Sequence, residues 1–571
     1  MALGLLWGAG HIRAHVPNRD PQGREERWLF GDPTLKTVNP DTGAIRFNLG
    51  AEGFTPGNPR PELDAVRAAF GQWRAVPGTS LKFEEGTPLP GSPDVNTSDN
   101  TNVVYWSRGT LVGGGMDSVA GRLAVNYKRK DAENRILESD IVFNGAQLTW
   151  AHDPFAAPAG AHVIESTALH EIGHFIGLAH NPLGAATMYP RSQPGLNPQL
   201  GLSQDEILAA RHLYRAWRAP ERWVAGVARF GESPVLGLSV CLEDADGVPQ
   251  AGTLTGPDGA FRIPLELPGP ARLRWQPLDP PANNSLLRLV TAGEIGIEFI
   301  QAGSSWSSGV IDLADPSEPV AIQVQAGAPP FRVTRIMVPA AVESGFVVMN
   351  SPVQVLPGTD GVWVGVASPD LPTAGATLRL TGPGLSLGAP RFRANAFPGS
   401  NPAVNLIYAR LRVEAAAPPG PRTFLVEAGG HTAAAVGYLE IQNPDPDDNY
   451  DGLADTFQRR HFSPFTQPAA GPEEDPDADG LSNAAEAAAG TSPTDPQSRL
   501  SFDRATHLPG GVELEWRSVP GKSYQISGRA DAGAGDWAPL GPAVKASGGM
   551  ARLLLPLPNA ESYFFRVAVI P

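Results

Sequence analysis

The chain has 571 residues, and a single hydrophobic core rarely grows past about 250–300, so several domains are expected. A formal net charge of −15 argues against a nucleic-acid partner, because phosphate binding needs a surplus of Lys and Arg. The one cysteine, Cys241, excludes an internal disulfide and a four-cysteine zinc site, and no run of roughly 18 apolar residues marks a membrane span.

The chain opens MALGLLWGAG, apolar but short and with no basic residue before it. This reads either as the remnant of a signal or pro-region or as a buried segment, within an N-terminal stretch of residues 1–40. Residues 41–218 read as α+β. Ile45–Leu49 looks like a strand, and Glu62–Arg74 places Leu63, Val66, Ala69, Phe70 and Trp73 on one helical face. Strands are expected at Leu81–Phe83, Val103–Trp106, Arg122–Tyr127 and Asp140–Phe143, then helices at Val163–Ile176 and Ser203–Trp217. Ser203 with Glu206 three residues on is a capping-box pattern. Beyond residue 220, alternating apolar runs broken by Gly, Pro and Asp turns predict β-sandwich modules at 222–318 and 328–442. Residues 443–498 form an acidic spacer, and 499–571 a C-terminal β-domain.

The most informative stretch is His170-Glu171-Ile-Gly-His174-Phe-Ile-Gly177-Leu-Ala-His180. Residues four apart share a helix face, so His170 and His174 can present imidazoles to one ion. Glu171 beside them reaches a water on that ion. Gly177 tolerates the backbone angles of a sharp exit from the helix, and His180 returns as a third nitrogen. Three neutral imidazoles leave one tetrahedral position for water, the mark of a catalytic zinc site. The expected chemistry is attack by a metal-activated water with Glu171 as general base.

The long form of this motif, with Met188 eight residues after His180, resembles the metzincin zinc proteases. Ala186-Thr187-Met188-Tyr189-Pro190 looks like the Met-turn of the matrixin family, and the likeness covers roughly residues 40–217. It implies a metzincin catalytic domain of a twisted mixed sheet plus three helices. It also implies that Met188 forms an apolar floor under the ligands, that Tyr189 and Pro190 shape the substrate pocket, and that Gly121-Arg122-Leu123-Ala124-Val125 is an edge strand receiving an extended peptide. Three departures stand out. No cysteine precedes the domain, so cysteine-switch latency cannot operate. No histidine falls in residues 108–140 for a second zinc site. Asn181 stands where matrixins have serine.

Residues 475–486 match an EF-hand loop, with Asp475, Asp477, Asp479, Asn483 and Glu486 as candidate side-chain ligands of Ca²⁺ and Leu481 as a carbonyl ligand. A second, weaker loop offers Asp447, Asn449, Asp451, Leu453 and Asp455, with Gln458 in place of the bidentate acid. These loops resemble thrombospondin type 3 and dockerin-like repeats. The module at 222–318 resembles a carboxypeptidase regulatory-like sandwich, and that at 328–442 an immunoglobulin-like one. The whole reads as a multidomain, secreted zinc endopeptidase with structural calcium, acting on protein or peptide substrates and holding matrix or cell-surface ligands through its β-modules. The alternative is an adhesion protein whose protease domain is inactive or narrowly specific.

Overall fold

The computed structural model describes residues 18, 20, 24–32, 34–90, 93–115, 117–190, 199–216, 222–266, 269–277, 307–316, 318–325, 329–338, 347–349, 351–396, 403–530, 536–556 and 563–570. The apolar opening segment, Trp217 and the stretch 191–198 after the Met-turn lie outside these residues. The chain divides into two units, Met1–Asp448 and Asn449–Pro571.

In the first unit a five-stranded sheet carries, in spatial order, Phe83–Glu85, Ile45–Leu49, Val103–Ser107, Ile136–Asn144 and Ala124–Lys130. The first four run parallel, and Ala124–Lys130 closes the sheet antiparallel, pairing Ala124 with Phe143 and Val125 with Val142. It is therefore an edge strand. The expected edge at Gly121–Val125 needs correction: only Ala124 and Val125 lie in the strand. Gly121, at φ 71°, sits in the preceding turn, a conformation that favours glycine.

Helix α1, Arg60–Ala75, begins with Pro at its first turn and buries Leu63, Val66, Phe70 and Trp73 as its periodicity requires. It packs against α2, Ile164–Phe175, the helix that bears the HExxH residues. Phe70 stacks on Phe47 at 3.9 Å between ring centroids and meets Phe175 edge-on at 5.8 Å. The indole of Trp73 donates to the Leu169 carbonyl at 3.0 Å, tying α1 to the ligand helix. Gly173 is why the two helices and the Met-turn can meet: a Cβ there would overlap Met188 Sδ and lie 3.3 Å from Trp73.

Helix α3, Gln204–Leu213, starts after Ser203, but not through the predicted capping box. The Ser203 hydroxyl turns to the Glu206 carboxylate, which is itself drawn away toward the Met-turn, so no side chain caps the helix.

The rest of the first unit is β. One sandwich sets the strands Trp223–Phe230, Ala260–Pro264 and Val320–Gln323 against Pro249–Leu254, Ser239–Asp244, Ala271–Gln276 and Gly309–Leu313, around Val224, Leu242, Phe261 and Leu273. A second, built on Asp360–Ser368, Asn405–Val413, Gly420–Ala428 and His431–Ile441, encloses Val364, Ile407, Phe424 and Leu439. Among its described residues the second unit holds two short α-helices, Asp455–His461 and Asn483–Ala489, and two three-stranded sheets around Trp516, Tyr524 and Ile526.

Trp73 fills the α1–α2 contact and is fully buried. Its replacement by Ala is expected to destabilise the first unit by about 3–5 kcal/mol, read as a lower denaturant midpoint with an unchanged m-value.

Candidate metal centre

His170 and His174 project from α2 one turn apart, and His180 returns from the loop beyond it. Their ligand nitrogens all lie within 4.8 Å of one another, with 3.2 Å between His174 Nε2 and His180 Nε2. The far ring nitrogens of the two helical residues are committed: His170 Nδ1 donates to the Thr187 carbonyl at 2.9 Å, and His174 Nδ1 to Leu178 at 2.8 Å. A ring whose Nδ1 carries the proton turns the lone pair of Nε2 inward. Burial lowers the pKa of both rings, that of His174 further because His180 and His170 also face it, so both are neutral at pH 7. Convergent, neutral nitrogen donors fit a zinc ion.

Gly177 makes the return possible. It ends α2 at φ 104°, and a Cβ on it would run into the Glu26 carbonyl oxygen. Asn18 donates its backbone N–H to Gly177 and its side-chain amide to Leu178. The residues before the sheet thus brace the turn that redirects the chain.

Glu171 is buried on the same helix, with Oε2 lacking a hydrogen-bond partner. Burial pushes its carboxyl up to about 8, against the opposing pull of Lys128 and Arg122. Lys128 lies on the edge strand and donates to the His174 carbonyl at 2.9 Å, so that strand runs beside the ligand helix.

Met188 is buried in the core of this domain, with its Sδ against Gly173 of the ligand helix. Tyr189 does not do what was expected of it. It is buried in the core of the second sandwich, and its hydroxyl bonds Tyr438 at 2.8 Å. The chain reverses direction at Met188, so consecutive side chains serve different cores. Pro190 is half-buried at the limit of the described stretch.

Sequence reasoning missed the work of Glu206. Its two carboxylate oxygens accept the Thr187 N–H at 3.0 Å and the Met188 N–H at 3.1 Å, fixing the Met-turn whose Thr187 carbonyl orients His170. The serine-to-glutamate spacing was visible, but its partner lies far from α3 in sequence.

In the second unit, Asp475, Asp477 and Asp479 form a second cluster. Asp477 Oδ2, Asp479 Oδ2, Asn483 Oδ1 and both oxygens of Glu486 are buried without an accepted hydrogen bond, although the Thr491 hydroxyl lies near enough to Glu486 to favour its charged form slightly. Burial, then Asp477, Asp479 and Asp475, raise Glu486 to about 7. In the other loop, Asp451 instead accepts from Asn449 at 2.9 Å and Gln458 at 2.7 Å, and Leu453 donates its N–H to Asp451. Asn449, Asp451 and Asp455 are thus in the second unit, while Asp447 is in the first.

Three inward imidazoles from an HExxH helix and a following loop, with a methionine beneath, define a metzincin-like metal centre. Residues 54–215 match the family model described as Matrixin. The same region is similar to Metalloendoproteinase 2-MMP of Arabidopsis thaliana, 30% identical over 172 residues that make up 28% of this chain and 40% of that protein. It is also similar to Metalloendoproteinase 1 of Glycine max, 28% identical over 162 residues, 28% of this chain and 48% of the relative. The Hatching enzyme of Paracentrotus lividus is 30% identical over 151 residues, 26% of this chain and 22% of its own length. The chain thus spans less than half the length of the curated relatives it matches. Residues 54–215 form a matrixin-like metalloendopeptidase domain.

Gly177→Ala should cost more than about 1 kcal/mol, since a side chain is both strained and obstructed there. It should also weaken zinc binding by on the order of tenfold through displacement of His180, measured by competition with a chromophoric chelator.

Proposed function

We propose that the full chain is a secreted zinc-dependent endopeptidase, and the observation that carries this reading is the convergence of His170, His174 and His180 beside a buried Glu171. When bound, Zn²⁺ supplies Lewis acidity that makes water nucleophilic near neutral pH and polarises the scissile carbonyl. Glu171 accepts the proton of the attacking water and passes it to the departing amine nitrogen as the C–N bond breaks. Its burial on the ligand helix holds the carboxylate in place and away from competing bulk water. The Ala124–Lys130 edge offers backbone donors and acceptors to an extended peptide, which would lie along α2 beside the metal centre. Among the described residues no helix is long and apolar enough to cross a membrane.

Glu171→Ala should retain one equivalent of zinc while hydrolysis of casein falls by about 10²–10⁴-fold; the checks are metal analysis and a fluorescent casein assay. Cleavage at the wild-type rate would remove the role given to Glu171. Loss of wild-type activity with phenanthroline, restored by zinc, separates this reading from an inactive adhesion module.

The C-terminal loop is read as a structural calcium site held by Asp475, Asp477, Asp479, Leu481, Asn483 and Glu486. Five buried oxygens without accepted hydrogen bonds support it, since buried carboxylates that repel one another are costly unless a cation gathers them. Calcium should raise the melting temperature of the wild-type C-terminal unit, and Glu486→Gln should weaken binding by about tenfold or more. Isothermal titration with CaCl₂ measures the affinity, and equal values for the two proteins would overturn the assignment.

A further inference from the structure

We propose that the two β-sandwich modules are positioning elements of the zinc site, gripping the loop between His180 and the Met-turn so that the third ligand is held only when both are in place. The inference rests on the zinc reading above.

Within the loop 181–189 the Asn181 N–H reaches the Met188 carbonyl at 2.9 Å, and two tight turns pair the Ala186 N–H with Leu183 at 3.1 Å and the Tyr189 N–H with Ala186 at 2.9 Å. The first module takes hold on one side. The Gly252 N–H, in its Pro249–Leu254 strand, donates to Asp205 at 2.7 Å, and the other oxygen of Asp205 accepts the side-chain amide of Asn181. Asn181 directly follows the third ligand. Leu183, two residues on, packs so closely over Gly252 that a Cβ there would lie 2.7 Å from its Cγ, and each of the three nearest atoms belongs to Leu183.

The second module takes hold further along. Gly184 donates its N–H to the Val436 carbonyl at 3.2 Å. Its lack of a side chain admits the Tyr438 ring, whose Cγ would be 2.8 Å from a Cβ. Tyr438 also meets Tyr189 edge-on at 5.6 Å and bonds its hydroxyl. Leu183 and Ala186 of the loop, Cys241 of the first module and Val436 of the second form one small buried cluster. Loop, first module and second module therefore share a single apolar contact.

A loop that carries a metal ligand contributes to affinity only if its conformation is fixed before the metal arrives. The grips fall at 181, 183, 184 and 189: Asn181 reaches Asp205 across 24 residues, Gly252 reaches the same carboxylate across 47, and Tyr189 meets Tyr438 across 249. The loop's own short-range bonds, such as the Leu183 N–H to Asn181 Oδ1 at 2.9 Å, shape its turns but do not reach the modules.

The test uses the full chain loaded with zinc and follows release to an excess of chelator. Gly252→Ala should speed release by about tenfold with the far-ultraviolet circular dichroism unchanged. Leu183→Ala alone, which takes away the loop's side of this grip and obstructs nothing, should speed release by a similar factor, whereas Val224→Ala, in the core of the same module but away from the loop, should leave release at the wild-type rate, a contrast that general destabilisation would not give. Tyr438→Phe, which keeps the ring and loses only the bond to Tyr189, is a milder second variant and should speed release by about threefold, within the range expected for one neutral hydrogen bond. Wild-type release rates in both Gly252→Ala and Tyr438→Phe would overturn the inference while leaving the zinc reading intact. A wild-type chain that holds no zinc overturns both.

Discussion

The placement of the third imidazole is the constraint on which the site depends. Two ligands come free with any helix, because residues four apart share a face. The third must come from chain that has left the helix, and chain outside regular structure has no ladder of its own to hold it. Everything around His180 answers that need. Gly177 turns the chain at φ 104°, Asn18 and the Glu26 carbonyl back the turn, and the 181–189 loop is bonded or packed at several points along its length.

The arrangement also explains why α3 is acidic where it meets the loop. Asp205 and Glu206 are adjacent and buried, an expensive pair. Burial raises both carboxyls, and for Asp205 the neighbouring Glu206 adds to it. The cost is tolerated because each acid collects hydrogen bonds that no other group there could accept: Glu206 from Thr187, Met188 and Ser203, Asp205 from Asn181 and Gly252. One acid fixes the Met-turn and the other fixes the residue after His180.

How much of this the sequence disclosed follows from the range of each interaction. The helix that carries His170, Glu171 and His174 and the glycine exit were legible because helical spacing and glycine's backbone freedom are local rules. Helix α1 was legible for the same reason, its apolar face running from Leu63 to Trp73. The edge strand was displaced by a few residues because a strand's start depends on where its partner begins to pair, and Ala124 is where Phe143 is met. Tyr189 was misassigned because a side chain's direction at a chain reversal depends on what surrounds it, and its partner, Tyr438, lies in a different module. Ser203 and Glu206 gave the right spacing for a cap, but the Met-turn amides outcompete the helix terminus for that carboxylate.

The β-modules thereby acquire a physical meaning beyond that of appendages. In a chain of independent domains, contacts between modules are few and polar, and relative motion is the default. Here Leu183, Ala186, Cys241 and Val436 bury apolar surface from three segments in one place, and Gly184 and Gly252 bring loop and modules close enough that a single methyl group would not fit without movement. Close packing of this kind transmits displacement instead of absorbing it. Among the described residues, the Gly252 N–H is one of two donors that reach the Asp205 carboxylate. Withdrawing the strand that carries it leaves a buried acid with a bond missing, beside another acid, next to the residue that follows the third ligand. The metal centre is thus a product of the packed first unit, and the ligand helix supplies only the part of it that a short sequence can encode.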